Sequence, residues 1–325
     1  MLTDSAKFPF STADLDRLRA AAVTVLSVAG HSRKELLAAA PEAEAMFVYS
    51  GVIDDAVVQQ LPRCRLLVRC GSGYDNIDVA AARSRGINVA YVPGYGTDDV
   101  AEHALALMMA CSRRLVSVNL EVRRGGWPTY AEIGPMRRLR GSTLGLVGFG
   151  RIAKRLGQLA SGLQMRIVAH DPHVPDEAFA AAGVARVTLS ELAAVSDVIS
   201  LHAPLGPATV AMVDASFLDR VKPGTMLVNT GRGELVDEHA LIASLQRGQL
   251  GGAGLDVLTR EPPDRWNPLL TLPNVVMTSH SAAFTEEALA AVRSLAIDEV
   301  LRVFAGEEPK NPVPYPTQTE AEALA

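Results

Sequence analysis

The sequence predicts an α/β protein of two doubly wound parallel-sheet domains, and three observations predict it. Short apolar runs alternate with helix-patterned segments up to about residue 285. Such alternation means parallel strands joined by crossover helices. One alternation, Thr143 to Ala153, carries a glycine turn of the kind that opens a dinucleotide-binding unit. The chain has 325 residues, which suits two domains.

In chain order, Met1 to Thr3, Val23 to Val28, Ala45 to Tyr49, Leu66 to Cys70 and Asn88 to Val92 are apolar enough to be buried strands. Thr12 to Ala20, Ser32 to Ala39, Asp54 to Leu61 and Ile77 to Arg85 between them read as helices, with Ser32 and Asp54 as N-caps. No phosphate fingerprint occurs here, so this first unit has another job. The loop from Arg69 to Asn76 follows a strand, where open α/β sheets bind ligands. Its glycines expose backbone N–H groups that suit a carboxylate, and they suit an ordinary turn capped by Asp75 and Asn76 equally well. Pro93, Gly94 and Gly96 then punctuate the chain. A long helix from Asp98 to about Arg123 follows, so the domain boundary falls at residue 96.

The glycine turn opens the strand–helix alternation of the second unit, 97–285. Gly148 allows a tight turn, and Gly150 lets backbone approach a pyrophosphate at a helix start. Ala153 takes the third small position. The next apolar run, Met165 to His170, ends in Asp171, 21 residues after Gly150. A carboxylate there accepts hydrogen bonds from an adenosine ribose and disfavours a 2′-phosphate, which selects NAD over NADP. Val198–Leu201, Met226–Asn229, Gly252–Asp256 and Val275–Thr278 read as further strands, with helices at Asp214–Arg220 and Asp237–Arg247.

Polar residues just past these strands face the ligand edge. Arg232, Glu261 and His280 together suggest a substrate anchor, a carboxylate partner and a proton donor. Of seven histidines, only His202 and His280 follow strands, and spacing does not separate them. His31, His173 and His239 fall in loops or on surface helices, and His103 falls inside the long helix.

Composition narrows the function classes. The chain is 48% hydrophobic and 21% charged with net charge −5 and no basic block, so an ordinary globular protein is expected and nucleic acid is not the expected partner. Cys64, Cys70 and Cys111 lack metal spacing and read as reduced thiols, which together with a start lacking signal-peptide order leads to a cytoplasmic expectation. No apolar stretch is long enough for a membrane span.

Taken together, Gly148-Phe-Gly150-Arg-Ile-Ala153, His202-Ala-Pro204, Asn229-Thr-Gly-Arg232-Gly, Glu261-Pro and Thr278-Ser-His280 resemble the D-isomer-specific 2-hydroxyacid dehydrogenases over nearly the whole chain. The loops at 71–78 and 92–103 look like the branch of the C-terminal-binding-protein corepressors and their bacterial relatives. The resemblance implies a Rossmann NAD-binding domain, 97–285, and a flavodoxin-like substrate domain formed by 1–96 plus 286–325. It implies a homodimer through the nucleotide domain. The regulatory domain of long phosphoglycerate dehydrogenases is expected to be absent.

It also implies residue roles. His280 would be the acid/base, Glu261 its partner and Arg232 the substrate anchor. Arg69, Ser72 and Gly73 would contact substrate. Gly148, Gly150, Arg151 and Ile152 would lie along the pyrophosphate and Asp171 on the ribose. Ala203, Pro204, Thr209, Thr230, Asp256 and Ala283 would line the cofactor, approached also by Ser72 and Thr97. Two departures stand out. Gly231 replaces the family's usual Ser or Ala, and Ala283 replaces the corepressors' Trp, which makes a roomier pocket. The alternatives implied are an NAD-sensing interaction protein and a dehydrogenase of an unusual substrate such as phosphite.

Overall fold

A computed structural model describes residues 1–30 and 33–314. Ser32, expected to cap a helix, and His31 lie outside the described residues, as does the end of the terminal segment, 315–325. The chain divides into two compact units, Met1–Gly96 with Thr285–Ala325, and Thr97–Phe284.

The first unit contains α1 (Thr12–Ala20), α2 (Arg33–Ala39), β1 (Ala45–Val48), α3 (Asp55–Val58), β2 (Leu66–Arg69), α4 (Val79–Ser84) and β3 (Asn88–Tyr91). The strands form a parallel sheet in the order β1-β2-β3. Their near-continuous apolar runs follow from burial on both faces, because each connection lays a helix on the sheet. One face packs Met46, Val48 and Leu67 against Leu36, Val57 and Val58. The other packs Phe47, Leu66 and Val68 with Val292, Ile297 and Val300 from the chain end.

Met1–Thr3 and Val23–Val28 do not become strands. Leu2 forms isolated parallel bridges to Ser27 and Phe47, so the sheet continues there as single contacts. Asp4, 4% exposed, explains why the pairing stops. Its carboxylate accepts from Thr3, Ser50 and the Gly51 N–H, which turns the chain away from the ladder. Asp54 and Asp78 accept from the N–H groups of Val57 and Ala81 and start α3 and α4; α3 begins where expected and ends early, at Val58, whereas the Asp78 cap starts α4 two residues past Ile77.

The second unit contains α5 (Thr97–Ser112), α6 (Leu115–Arg123), α7 (Tyr130–Ile133), β4 (Thr143–Val147), α8 (Arg151–Gly162), β5 (Arg166–His170), α9 (Asp176–Ala181), β6 (Ala185–Arg186), α10 (Leu189–Val195), β7 (Val198–Leu201), α11 (Ala215–Arg220), β8 (Thr225–Asn229), α12 (Glu238–Gln246), β9 (Leu250–Leu255) and β10 (Val275–Met277). The parallel sheet runs β10-β9-β8-β7-β4-β5-β6. The order reverses between β4 and β7, which is the topological switch point where such sheets bind ligands. The single helix expected from Asp98 to Arg123 is two. Arg114 takes a left-handed φ of 48°, which interrupts the helix between Ser112 and Leu115. The reason lies in packing. α5 buries Ala101, Ala104, Leu107 and Met108, whereas no residue of α6 is buried.

Returning to the first unit, α13 (Glu286–Phe304) starts at the Thr285 cap and packs on β2. Glu299, 2% exposed, accepts from the N–H groups of Lys310 and Asn311 and so holds the segment that follows. Among the described residues no helix is long and apolar enough to cross a membrane.

Candidate active site

β4 is buried at all five positions and ends at Gly148, whose φ is +88°. A Cβ at Gly148 would lie 2.7 Å from the His202 carbonyl carbon, so only glycine lets the end of β4 pass the end of β7. Gly150 then N-caps α8 with no side-chain cap, and a Cβ there would meet nothing within 4 Å. The first-turn N–H groups of Arg151, Ile152 and Ala153 have no acceptor within the helix and lie at the positive end of its dipole. Asp171 accepts from the Phe149 N–H at 2.8 Å through one oxygen and from the His173 N–H at 2.9 Å through the other. It thereby fastens the end of β5 to the glycine turn.

At the other side of the switch point, Ala203 and Pro204 follow β7, and Thr209 closes their loop. Its hydroxyl donates to the Pro204 carbonyl at 2.7 Å and accepts from the Gly206 N–H at 2.9 Å. Thr230 follows β8, and its hydroxyl is buried without a partner among the described residues. A buried hydroxyl normally finds one. Open helix N–H groups, a carboxylate at the second strand and an orphaned hydroxyl at the fifth together fit a dinucleotide.

His202 and His280 separate at once. His202 is half-buried, its Nε2 is 2.9 Å from the Ser200 hydroxyl, and burial pushes its pKa down to about 4. The native state keeps this imidazole neutral where the unfolded chain, titrating near 6.5, takes up a proton. Stability should therefore fall as pH drops from about 6.5 to about 4, by up to about 3 kcal/mol from this residue. In His202→Gln that part of the slope should vanish, which urea midpoints at pH 7 and pH 4.5 would reveal. Equal losses in parent and variant would contradict it.

His280 has a carboxylate partner. It sits past β10 with a left-handed φ of 54°, and its Nδ1 is 2.8 Å from Glu261 Oε2. Glu261 Oε1 accepts from the Leu258 N–H at 3.0 Å. Burial pushes the Glu261 carboxyl up, but the hydrogen bond and charge of His280, the Leu258 N–H and the Arg232 charge outweigh it and hold the group below the usual carboxylate value. Nδ1 is thus the nitrogen committed to Glu261, and Nε2 remains for a reacting atom. His280 is 47% exposed on its side chain.

Arg232 lies on the turn after β8. Asn229, 1% exposed, braces that turn from within: its amide donates to the Arg232 carbonyl at 2.8 Å and accepts from the Gly231 N–H at 3.0 Å. The turn at Gly231 is therefore held despite its lack of a side chain. The guanidinium donates to the Gly231 carbonyl at 2.8 Å. Next to it, a Cβ on Gly233 would fall 2.0 Å from the Leu258 carbonyl carbon. Glycine is required there for the Arg232 turn to lie against the loop that carries Glu261. Asn229 and Gly233 belong to the Asn229-Thr-Gly-Arg232-Gly motif of the sequence, which gives neither of them a role. Asn followed by Thr-Gly at a strand end was the available sign of an Asx turn.

Asp256, 2% exposed, is the buried carboxylate of the site. Its oxygens accept from the N–H groups of Ser281 at 2.9 Å and Ala282 at 3.0 Å, so it holds the segment between His280 and Ala283.

In the first unit, Arg69 ends β2 with its guanidinium over the Tyr49 ring, 5.8 Å from the centroid, and donates to the Cys70 carbonyl at 2.6 Å. The Ser72 hydroxyl donates to the Val92 carbonyl at 3.3 Å. The N–H groups of Ser72 and Gly73 donate to no partner among the described residues. Thr97 opens α5 in the second unit.

Residues 105–282 match the family described as D-isomer specific 2-hydroxyacid dehydrogenase, NAD binding domain. The chain is 36% identical over 310 residues to a D-3-phosphoglycerate dehydrogenase of Archaeoglobus fulgidus, covering 95% of this chain and 58% of that protein. It thus spans little more than half the length of that relative. It is 39% identical over 263 residues to a glyoxylate reductase of Korarchaeum cryptofilum, covering 80% and 79% of the two chains. The crystal structure of D-lactate dehydrogenase from Aquifex aeolicus, complexed with NAD and lactic acid, superposes with TM-score 0.85 at 27% identity, over 97% of this chain and 99% of that one.

Proposed function

The chain belongs to the D-isomer specific 2-hydroxyacid dehydrogenases, and from that membership we propose that it interconverts a small 2-keto acid and its D-2-hydroxy acid with NAD. The observation that carries the reading is the 2.8 Å pairing of His280 with Glu261, beside the charge of Arg232, at the strand ends of a dinucleotide-binding unit.

The turn at Gly148 and Gly150, with Arg151, Ile152 and Asp171 and with Ala203, Pro204, Thr230 and Ala283, would hold NADH, which would supply the hydride. His280 gives the Nε2 proton to the carbonyl oxygen in reduction and recovers it in oxidation. Glu261 fixes the ring by its Nδ1 and stabilises its positive charge. Arg232 holds the substrate carboxylate and polarises the carbonyl with a planar fork. In the first unit, Arg69 and the N–H groups of Ser72 and Gly73 are the proposed substrate contacts. Thr209 serves as a brace of the cofactor loop.

The test is NADH oxidation with 2-keto acids of increasing length, starting from glyoxylate, repeated with NADPH. Turnover identifies the substrate and the size of its pocket. Silence on every keto acid with NADH bound would reject this reading in favour of an NAD-sensing interaction protein or an unusual acid such as phosphite. Asp171→Ala should raise the NADP/NAD preference ratio in kcat/KM. An unmoved ratio would show that Asp171 does not read the ribose.

A homodimer through the second unit belongs to the same reading. Leu115, Val116, Leu120 and Val122 of α6 are exposed, and Trp127 beyond it is 86% exposed. Apolar side chains so gathered mark an interaction surface. Sedimentation at the monomer mass of 34.5 kDa would refute it.

A further inference from the structure

We propose that His103, on α5, is a positioning residue for the His280 loop, acting through Thr278 and Asp256; the inference rests on reading His280 as the proton donor.

Thr278 Oγ1 lies 2.5 Å from Asp256 Oδ1, and His103 Nε2 lies 2.9 Å from the same hydroxyl. A carboxylate only accepts, and a hydroxyl has one proton to give. Thr278 therefore donates to Asp256 and must accept from His103. That assigns the proton of the neutral His103 ring to Nε2. Nε2 also lies 3.5 Å from Asp256 Oδ1, so the N–H dipole supports the carboxylate directly. The relay runs from the His103 Nε2–H to the Thr278 hydroxyl to the Asp256 carboxylate.

Asp256 is where the relay meets the site. Its carbonyl accepts from the His280 N–H at 2.8 Å, and its carboxylate accepts from the Ser281 and Ala282 N–H groups. Three successive N–H groups of the loop thus converge on one residue. His280 itself has a φ of 54°, which a residue with a side chain adopts at a cost. Such a conformation persists where its surroundings over-determine it. His103 and Thr278 supply the last constraint, because without them Asp256 Oδ1 keeps the Ser281 N–H as its one hydrogen bond and the carboxylate is held from the loop side alone. The direction of the His280 ring toward Glu261 follows from that loop.

Three substitutions separate this role from simple packing. His103→Leu keeps the bulk and removes the donor. Thr278→Val keeps the shape and removes the relay. His103→Gln restores an N–H at about the place of Nε2. Leu and Val should each lower kcat roughly tenfold or more with KM for the keto acid and NADH affinity within about twofold. Gln should recover most of the loss, and the Leu/Val double variant should lose no more than either single one. A Leu variant as active as the parent, no rescue by Gln, or additive losses would overturn the inference.

A second readout needs no turnover. Two-bond proton–nitrogen NMR of the imidazoles at pH 8 should show His103 as the Nε2–H tautomer, and His103→Leu should displace the His280 ring signals. An Nδ1–H tautomer, or unmoved His280 signals, would overturn the proposal. If the parent turned over no keto acid while these signals behaved as expected, the functional reading would fail and the positioning relay would stand.

Discussion

Replacing His280 with alanine should lower turnover by at least about 10²- to 10⁴-fold, the range that a positioned proton donor supplies, while NADH affinity stays within about twofold. The expectation follows from geometry. Glu261 engages Nδ1 at 2.8 Å, which leaves Nε2 to exchange a proton with the carbonyl oxygen. Among the residues gathered at these strand ends, His202 is no substitute, since burial and the Ser200 contact hold it neutral. Cofactor affinity should survive because the glycine turn, Asp171 and Thr230 stand on other strand ends. Steady-state kinetics with a 2-keto acid and a fluorescence titration of NADH would check both halves. Near-normal turnover would remove His280 from the mechanism.

Arg232→Lys should cost roughly 10²-fold in kcat/KM although the charge is kept. One guanidinium N–H donates to the Gly231 carbonyl, and a guanidinium sets its donors in one rigid plane, the geometry that reads a carboxylate and a carbonyl oxygen together. An ammonium has neither the reach nor the fixed geometry. Because Asn229 braces the turn through backbone groups, the substitution should leave the fold unchanged. Circular dichroism and kinetics on the same preparation would show this. Kinetics close to the parent's would point to a different anchor.

Legibility differed by element. The bounds expected for α1 and α13 match the structure, where Ser11 and Thr285 cap their first turns. The central strands were readable because both faces are buried. The break between α5 and α6 was not, since neither Gly nor Pro marks it and the apolar pattern resumes at Leu115. The strand Ala185–Arg186 was missed because two exposed residues at a sheet edge carry no pattern. At the site, the glycine turn and Asp171 are local in sequence and could be read directly. Spacing left His202 and His280 equivalent, because what distinguishes them is a carboxylate 19 residues away from one of them. His103 looked like one more helix residue, since its partner Thr278 is 175 residues distant. The need for glycine at 233 was not legible for the same reason: the backbone it must clear belongs to Leu258.

The most direct test is the fate of the hydride. NADH deuterated at both C4 positions of the nicotinamide is incubated with the best keto acid, and the product is separated on a chiral phase and weighed by mass spectrometry. The account predicts one deuteron at C2 of a hydroxy acid of D configuration. An L product, an unlabelled product, or no product from enzyme that binds NADH would contradict it.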